Sequence, residues 1–211
     1  MIVNLIPQLL ILAFSVIFHE IAHGYIALKL GDTTARDAGR LTFNPLPHID
    51  LFGTILLPLF LIILRSPVLI GHAKPVPINP LNFRDRKRGI AISGAAGPGS
   101  NLFLALCFAF LFHFLGRFGN TFGFIQQYMI TGVFINLVLA FFNLIPIPPL
   151  DGSRIVLFFL TNKQAVYYYR IERFGLLIVL GLFYLGLLQW VLWPPIIFFM
   201  RVLIGPAIFS P

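Results

Sequence analysis

The chain has 211 residues, of which 58% are hydrophobic and only 10% charged, with a mean hydropathy of +0.92. Soluble domains carry roughly half apolar and about a quarter charged residues, so a soluble fold is excluded and the chain reads as an integral membrane protein. Its 15 Lys and Arg against 7 Asp and Glu give a net charge of +8; in a membrane protein such an excess reports orientation and contact with anionic lipid headgroups, not nucleic acid.

The first apolar run covers residues 3 to 29 and carries no charge before His19. It lacks the charged start and small-residue cleavage site of a signal peptide, so residues 1 to 30 are expected to be mature structure. The next run, Leu51 to Leu64, is interrupted by Gly53 and Pro58 and closed by Arg65-Ser66-Pro67. A crossing helix needs about 20 residues, so this shorter stretch suits a re-entrant or interfacial segment. Residues 71 to 82 hold Pro75, Pro77 and Pro80 and are expected to be extended, since proline removes helix donors. At membrane depth such backbone needs protein or a water-filled cavity around it.

Further spans are expected at 90 to 115 and 124 to 145, then at 174 to 192 and 195 to 209, the last tilted or partly inserted around Arg201. The single Cys107 sits in an apolar run and reads as a small packing residue. The expected architecture is therefore an all-α integral membrane protein of about five transmembrane helices, with a re-entrant or extended segment around 51 to 80. Residues 1 to 211 read as one polytopic domain, with no repeat and no separate soluble unit.

Charge orients this arrangement. If 51 to 70 dips into the bilayer and returns, thirteen Lys and Arg, including Arg84, Arg86, Lys87 and Arg88, share one face, against Arg117 opposite. Positive residues collect on the cytoplasmic side. The N-terminus is accordingly expected outside, in an inner or plasma membrane, and the ends of the first and third spans in the cytoplasmic half.

Inside the first span lies His19-Glu20-Ile21-Ala22-His23. Residues four apart share a helix face, so both imidazoles can bind one Zn²⁺ ion. Glu20 stands beside them as a general base toward water at the metal. Ionisable groups are costly in a bilayer and usually mark function. A catalytic zinc keeps three protein ligands, so a third donor is needed. Asp32, Asp37, Asp50 and Asp85 lie in loops, and Glu172 adjoins basic neighbours. Asp151 follows a proline-broken span and can serve as a ligand or as an N-cap for the helix after it.

Three motifs stand in order: His19-Glu20-x-x-His23, Gly97-Pro98-x-x-Asn101 and Asn143-x-x-Pro146-x-Pro148-x-x-Asp151-Gly152. Together they resemble the site-2 protease family of intramembrane zinc metalloproteases. Asn44-Pro45, His48-Ile49-Asp50, Gly53-Thr54 and Ala73-Lys74-Pro75-Val76-Pro77 resemble its compact subgroup without a PDZ domain. The resemblance covers about residues 15 to 160. It implies His19, His23 and Asp151 as zinc ligands, Glu20 as catalytic base, and Asn143 as a holder of the substrate main chain. It also implies a transmembrane helix as substrate and a catalytic core at about 5 to 160, ahead of C-terminal helices at about 174 to 209. Asn101 is expected to add amide contacts to the stretched substrate. His72 departs from the aromatic residue expected there and reads as a polar lining residue, with stacking or occasional ligation as alternatives. A metal transporter would need a second polar cluster along a path through the spans, which is absent from the sequence. A homologue that binds helices without cutting them would not need an intact His19, Glu20, His23 and Asp151.

Overall fold

A computed structural model describes residues 2 to 56, 63 and 73 to 206. All regular structure among them is helical. The principal helices are α1 (Ile2–Lys29), the short α2 (Thr34–Asp37), α3 (Arg86–Gly116), α4 (Gly123–Asn143), α5 (Asp151–Phe159), α6 (Asn162–Tyr184) and α7 (Leu187–Leu203).

α1, α3 and α4 are each long and apolar enough to cross a bilayer, in agreement with the first three expected full spans. The last two expected spans are corrected. They form α6 and α7, which pass that test only as a pair bent by 77°. The break falls at Gly186, whose φ of 73° is left-handed and needs no Cβ clash. Pro194 and Pro195, near which the sequence suggests a boundary, lie inside α7 instead. Of the expected re-entrant segment, Leu51–Leu56 is a π-helical turn, while 57 to 62 and 64 to 72 lie outside the described residues. Residues 73 to 79 carry no helix, as their prolines dictate.

α1 buries a narrow stripe, Ser15, His19, His23 and Ala27, at intervals of four. That spacing keeps one line of side chains facing inward. Facing it, α3 buries Ser93, Gly94, Gly97, Ser100 and Asn101, and such small residues let membrane helices approach closely. A Cβ at Gly94 would sit 2.7 Å from Cβ of Arg154 on α5, which shows how tightly α3 and α5 meet. An apolar core of Ala105, Ala109, Val133, Leu137, Ile196 and Met200 joins α3, α4 and α7. Between α4 and α5 the chain breaks over 144 to 150, and α6 crosses this break. The hydroxyl of Tyr168 donates to the carbonyl of Pro146 (2.7 Å), and Gly175 abuts the carbonyl of Pro148, where a Cβ would collide.

A polar staple fixes the extended segment. Buried Asp32 accepts from the backbone N–H groups of Asn79 (2.7 Å) and Thr34 (3.1 Å), from Nδ2 of Asn82 (2.9 Å), and from the Thr34 hydroxyl. Burial pushes its carboxyl upward, but these donors outweigh burial and hold it below its ordinary value. A depressed carboxyl stabilises the fold above its unfolded value, near 4, and loses that contribution as pH falls through the folded one. Asp32→Ala is therefore expected to destabilise the protein by about 2 to 3 kcal/mol at neutral pH, the scale of hydrogen bonds to a charged group. Thermal unfolding in detergent checks this: the gap between wild type and variant should shrink as the pH drops below about 4.

Candidate metal centre

The stripe on α1 and the break before α5 bring three donor atoms to one point. Nε2 of His19 and Nε2 of His23 lie 2.9 Å apart. Each is 3.1 Å from Oδ2 of Asp151. All three residues are at least nine-tenths buried, and they form the metal-capable group found among the described residues. Asp151 is the first residue of α5, and the N-cap is Leu150, so the capping alternative falls away. Its other oxygen, Oδ1, faces Nη1 of Arg154 at 3.7 Å.

Hydrogen-bond direction fixes what the imidazoles offer. Nδ1 of His23 is 2.6 Å from the carbonyl of Ser93, which can only accept, so Nδ1 is the protonated nitrogen. Nδ1 of His19 is 2.6 Å from Oδ1 of Asn101. The amide of Asn101 is itself oriented, because its Nδ2 donates to Oδ1 of Asn136 (2.9 Å) and to the Ser15 carbonyl (3.4 Å). Asn136 is set in turn by its Nδ2, which donates to the carbonyl of Gly132 and to Oγ of Ser15, each at 2.9 Å. The relay ends on a backbone carbonyl that cannot reverse. Both histidines thus carry hydrogen on Nδ1 and turn Nε2, the nitrogen left to ligate a metal, inward.

With both Nε2 atoms deprotonated, as metal ligation requires, two lone pairs and a carboxylate oxygen converge, and a cation among them removes their mutual repulsion. Tetrahedral zinc with bonds of about 2.0–2.1 Å would set its donors roughly 3.3–3.4 Å apart, and the observed edges of 2.9 to 3.1 Å come within a few tenths of this. The donor chemistry, His, His and carboxylate with outer partners on both rings, fits zinc.

A cavity of about 150 Å³ opens on this triangle, lined by His19, Glu20, His23, Val76, Asn143 and Asp151 among others. Oε2 of Glu20 accepts the backbone N–H of Val76 (2.7 Å), so Glu20 and the extended segment meet at the cavity wall. Asn143 lines the cavity while its Nδ2 donates back to the Leu139 carbonyl (2.9 Å). The structure corrects the expectation for Asn101: it is fully buried and serves His19 instead of facing the cavity. His72 lies outside the described residues. His48 and His113 stand apart, bonded to the carbonyls of Thr42 and Leu203. Sequence reading missed Ser15, Ser93 and Asn136. Same-face spacing held the signal for two of them, with Ser15 four residues before His19 and Asn136 seven before Asn143.

The relay makes a directional prediction. Asn136→Leu removes the acceptor that orients Asn101 and is expected to weaken zinc binding about 10- to 100-fold, the usual cost of losing an outer partner. Asn136→Asp keeps that acceptor and should retain most of the affinity. Competition with a zinc chelator measures both. A residue present only to fill space would give the opposite order, with the apolar variant better tolerated in this buried site.

Helices of membrane length around a buried triangle of His, His and Asp define a membrane protein with a candidate metal centre among its spans. The profile of peptidase family M50 matches residues 118 to 185, which include Asn143 and Asp151. "Putative zinc metalloprotease YwhC" of Bacillus subtilis (strain 168) is 38% identical over 198 residues, 90% of this chain and 86% of that protein. "Putative zinc metalloprotease Rip2" of Mycolicibacterium smegmatis (strain ATCC 700084 / mc(2)155) is 29% identical over 143 residues, 65% of this chain and 51% of that protein. No solved structure matches the chain. The chain belongs to peptidase family M50, the intramembrane zinc metalloproteases.

Proposed function

We propose that this protease hydrolyses a peptide bond within or near the transmembrane segment of a membrane-protein substrate, with His19, His23 and Asp151 as zinc ligands and Glu20 as general base. The observation that carries this is the convergence of two imidazole nitrogens and a carboxylate oxygen on a cavity that Glu20 also lines, inside membrane-length helices. A bound zinc ion supplies Lewis acidity, polarising a carbonyl and making water a nucleophile near neutral pH. Glu20 takes the proton of that water on its carboxylate and returns it to the leaving amine. The Nδ1–H bonds to Asn101 and Ser93 hold both rings in place through the cycle.

A helical substrate hides its carbonyls in its own hydrogen bonds, so it must be drawn out before attack. The extended segment at 73 to 79, which lines the cavity through Pro75, Val76 and Ile78, offers backbone for strand-like pairing with it, and Asn143, which lines the same cavity, holds the substrate main chain. Residues 1 to 211 form one polytopic domain. The excess of basic residues between α1 and α3 and along α5 and α6, from Arg154 to Arg173, supports a site in the cytoplasmic half of the membrane, next to anionic headgroups.

The test is cleavage of a synthetic transmembrane peptide by the purified protein in detergent or liposomes. About one zinc ion per chain is expected, with cleavage lost on chelation and restored by Zn²⁺. A zinc-loaded preparation that cuts no transmembrane peptide would overturn the proposal.

A further inference from the structure

Behind the metal-site cavity lies a second one of about 210 Å³. The two share Ile78, Pro149 and Arg154 as a common wall. Apolar side chains, among them Phe83, Ile90 and Leu157, line the second together with Arg154, Tyr168 and Glu172, and both Phe83 and Leu157 are 7% exposed. Ser93 also lines it, and its carbonyl is the partner of His23. It therefore sits directly behind a metal-site histidine.

Its walls are fixed. Gly89 leaves room for Phe83, since a Cβ there would collide with the ring. Tyr168, on the α6 wall, is tied to the Pro146 carbonyl. The volume is below the roughly 300–1,000 Å³ of a pocket for a whole small molecule. That is room for one large side chain.

The extended segment indicates whose side chain it is. Pro75 and Val76 line the first cavity, Ile78 lines both, and Pro80 lines the second. A peptide laid along 75 to 80 passes from one cavity to the other. Strand residues advance about 3.3 Å each and alternate sides, so a bond held at the metal site puts a side chain one or two residues away at the mouth of the second cavity.

Resting on the proteolytic reading above, we propose that this second cavity is a specificity subsite that receives a large apolar side chain, Leu or Phe, of the substrate residue one or two positions from the scissile bond. Arg154 stands at the threshold, its guanidinium turned toward Oδ1 of Asp151.

The experiment uses a transmembrane peptide series with Ala, Leu or Phe at each of the four residues flanking the mapped cleavage site. The wild type is expected to favour Leu or Phe over Ala at one of these positions by at least tenfold in kcat/KM, since a single methylene in an apolar pocket is worth about 10- to 200-fold. Ile90→Trp, which fills the cavity, should bring that ratio to one or invert it. Leu157→Ala, which enlarges the cavity, should shift the preference from Leu toward Phe. Because each result is a ratio within one protein, partial loss of folded enzyme does not alter it. A wild type that cuts no peptide overturns the proteolytic reading and this subsite with it. A wild type that cuts with no side-chain preference, or whose preference neither variant changes, overturns the subsite alone.

Discussion

Glu20→Gln is expected to leave zinc binding intact and to lower cleavage of a transmembrane peptide by about 10²- to 10⁴-fold, the range that a positioned general base contributes. The separation of the two effects follows from geometry. Glu20 lines the cavity but takes no part in the triangle of His19, His23 and Asp151. Gln has nearly the same shape and keeps a carbonyl oxygen to accept the Val76 N–H that Oε2 accepts now, so the extended segment stays in place. What disappears is the capacity to take a proton. Zinc content and turnover measured on one preparation check this; loss of metal together with activity would move Glu20 from base to ligand.

Gly97→Ala is expected to remove both metal and activity, although Gly97 donates to nothing at the site. A Cβ at Gly97 would stand 2.5 Å from Nε2 of His19 and closer still to Nε2 of His23. Neither ring can retreat, because each is held through Nδ1 by Asn101 or Ser93. The added methyl must part α1 from α3 or rotate the rings out of the triangle. Gly99→Ala is the matched control: its Cβ meets open space, and the variant should bind zinc and cleave as the wild type does. Zinc stoichiometry separates the pair, and retained metal in the Gly97 variant would show the rings to be less tightly held than their hydrogen bonds indicate.

Much of the candidate metal site was legible because its determinants are local. His19 and His23 are one helical turn apart, and Pro146, Pro148 and Pro149 mark where α4 must stop, so donor pair and break could be read from spacing. The first three full spans were legible for the same reason, hydrophobic length. The course of the C-terminal helices was not. Pro194 and Pro195 suggested a boundary that the chain places at Gly186, since within a membrane helix neighbours can compensate the donors that proline lacks. The role of Asn101 was also hidden. Its motif marks the position, but whether its amide faces substrate or His19 depends on Asn136 on α4 and Ser15 on α1. Such a chain of bonds has no sequence period.

α6 and α7 furnish no donor to the triangle, yet they bear on it. Through Tyr168 and Gly175 they lean on the proline-rich break from one side, and through Ile196 and Met200 they brace α4 from the other. The carboxylate of Asp151 hangs from that break. Damage to the last quarter of the sequence will therefore mimic an active-site defect at a distance, and a screen for lost proteolysis will return lesions in this buttress alongside those in the hearth it supports.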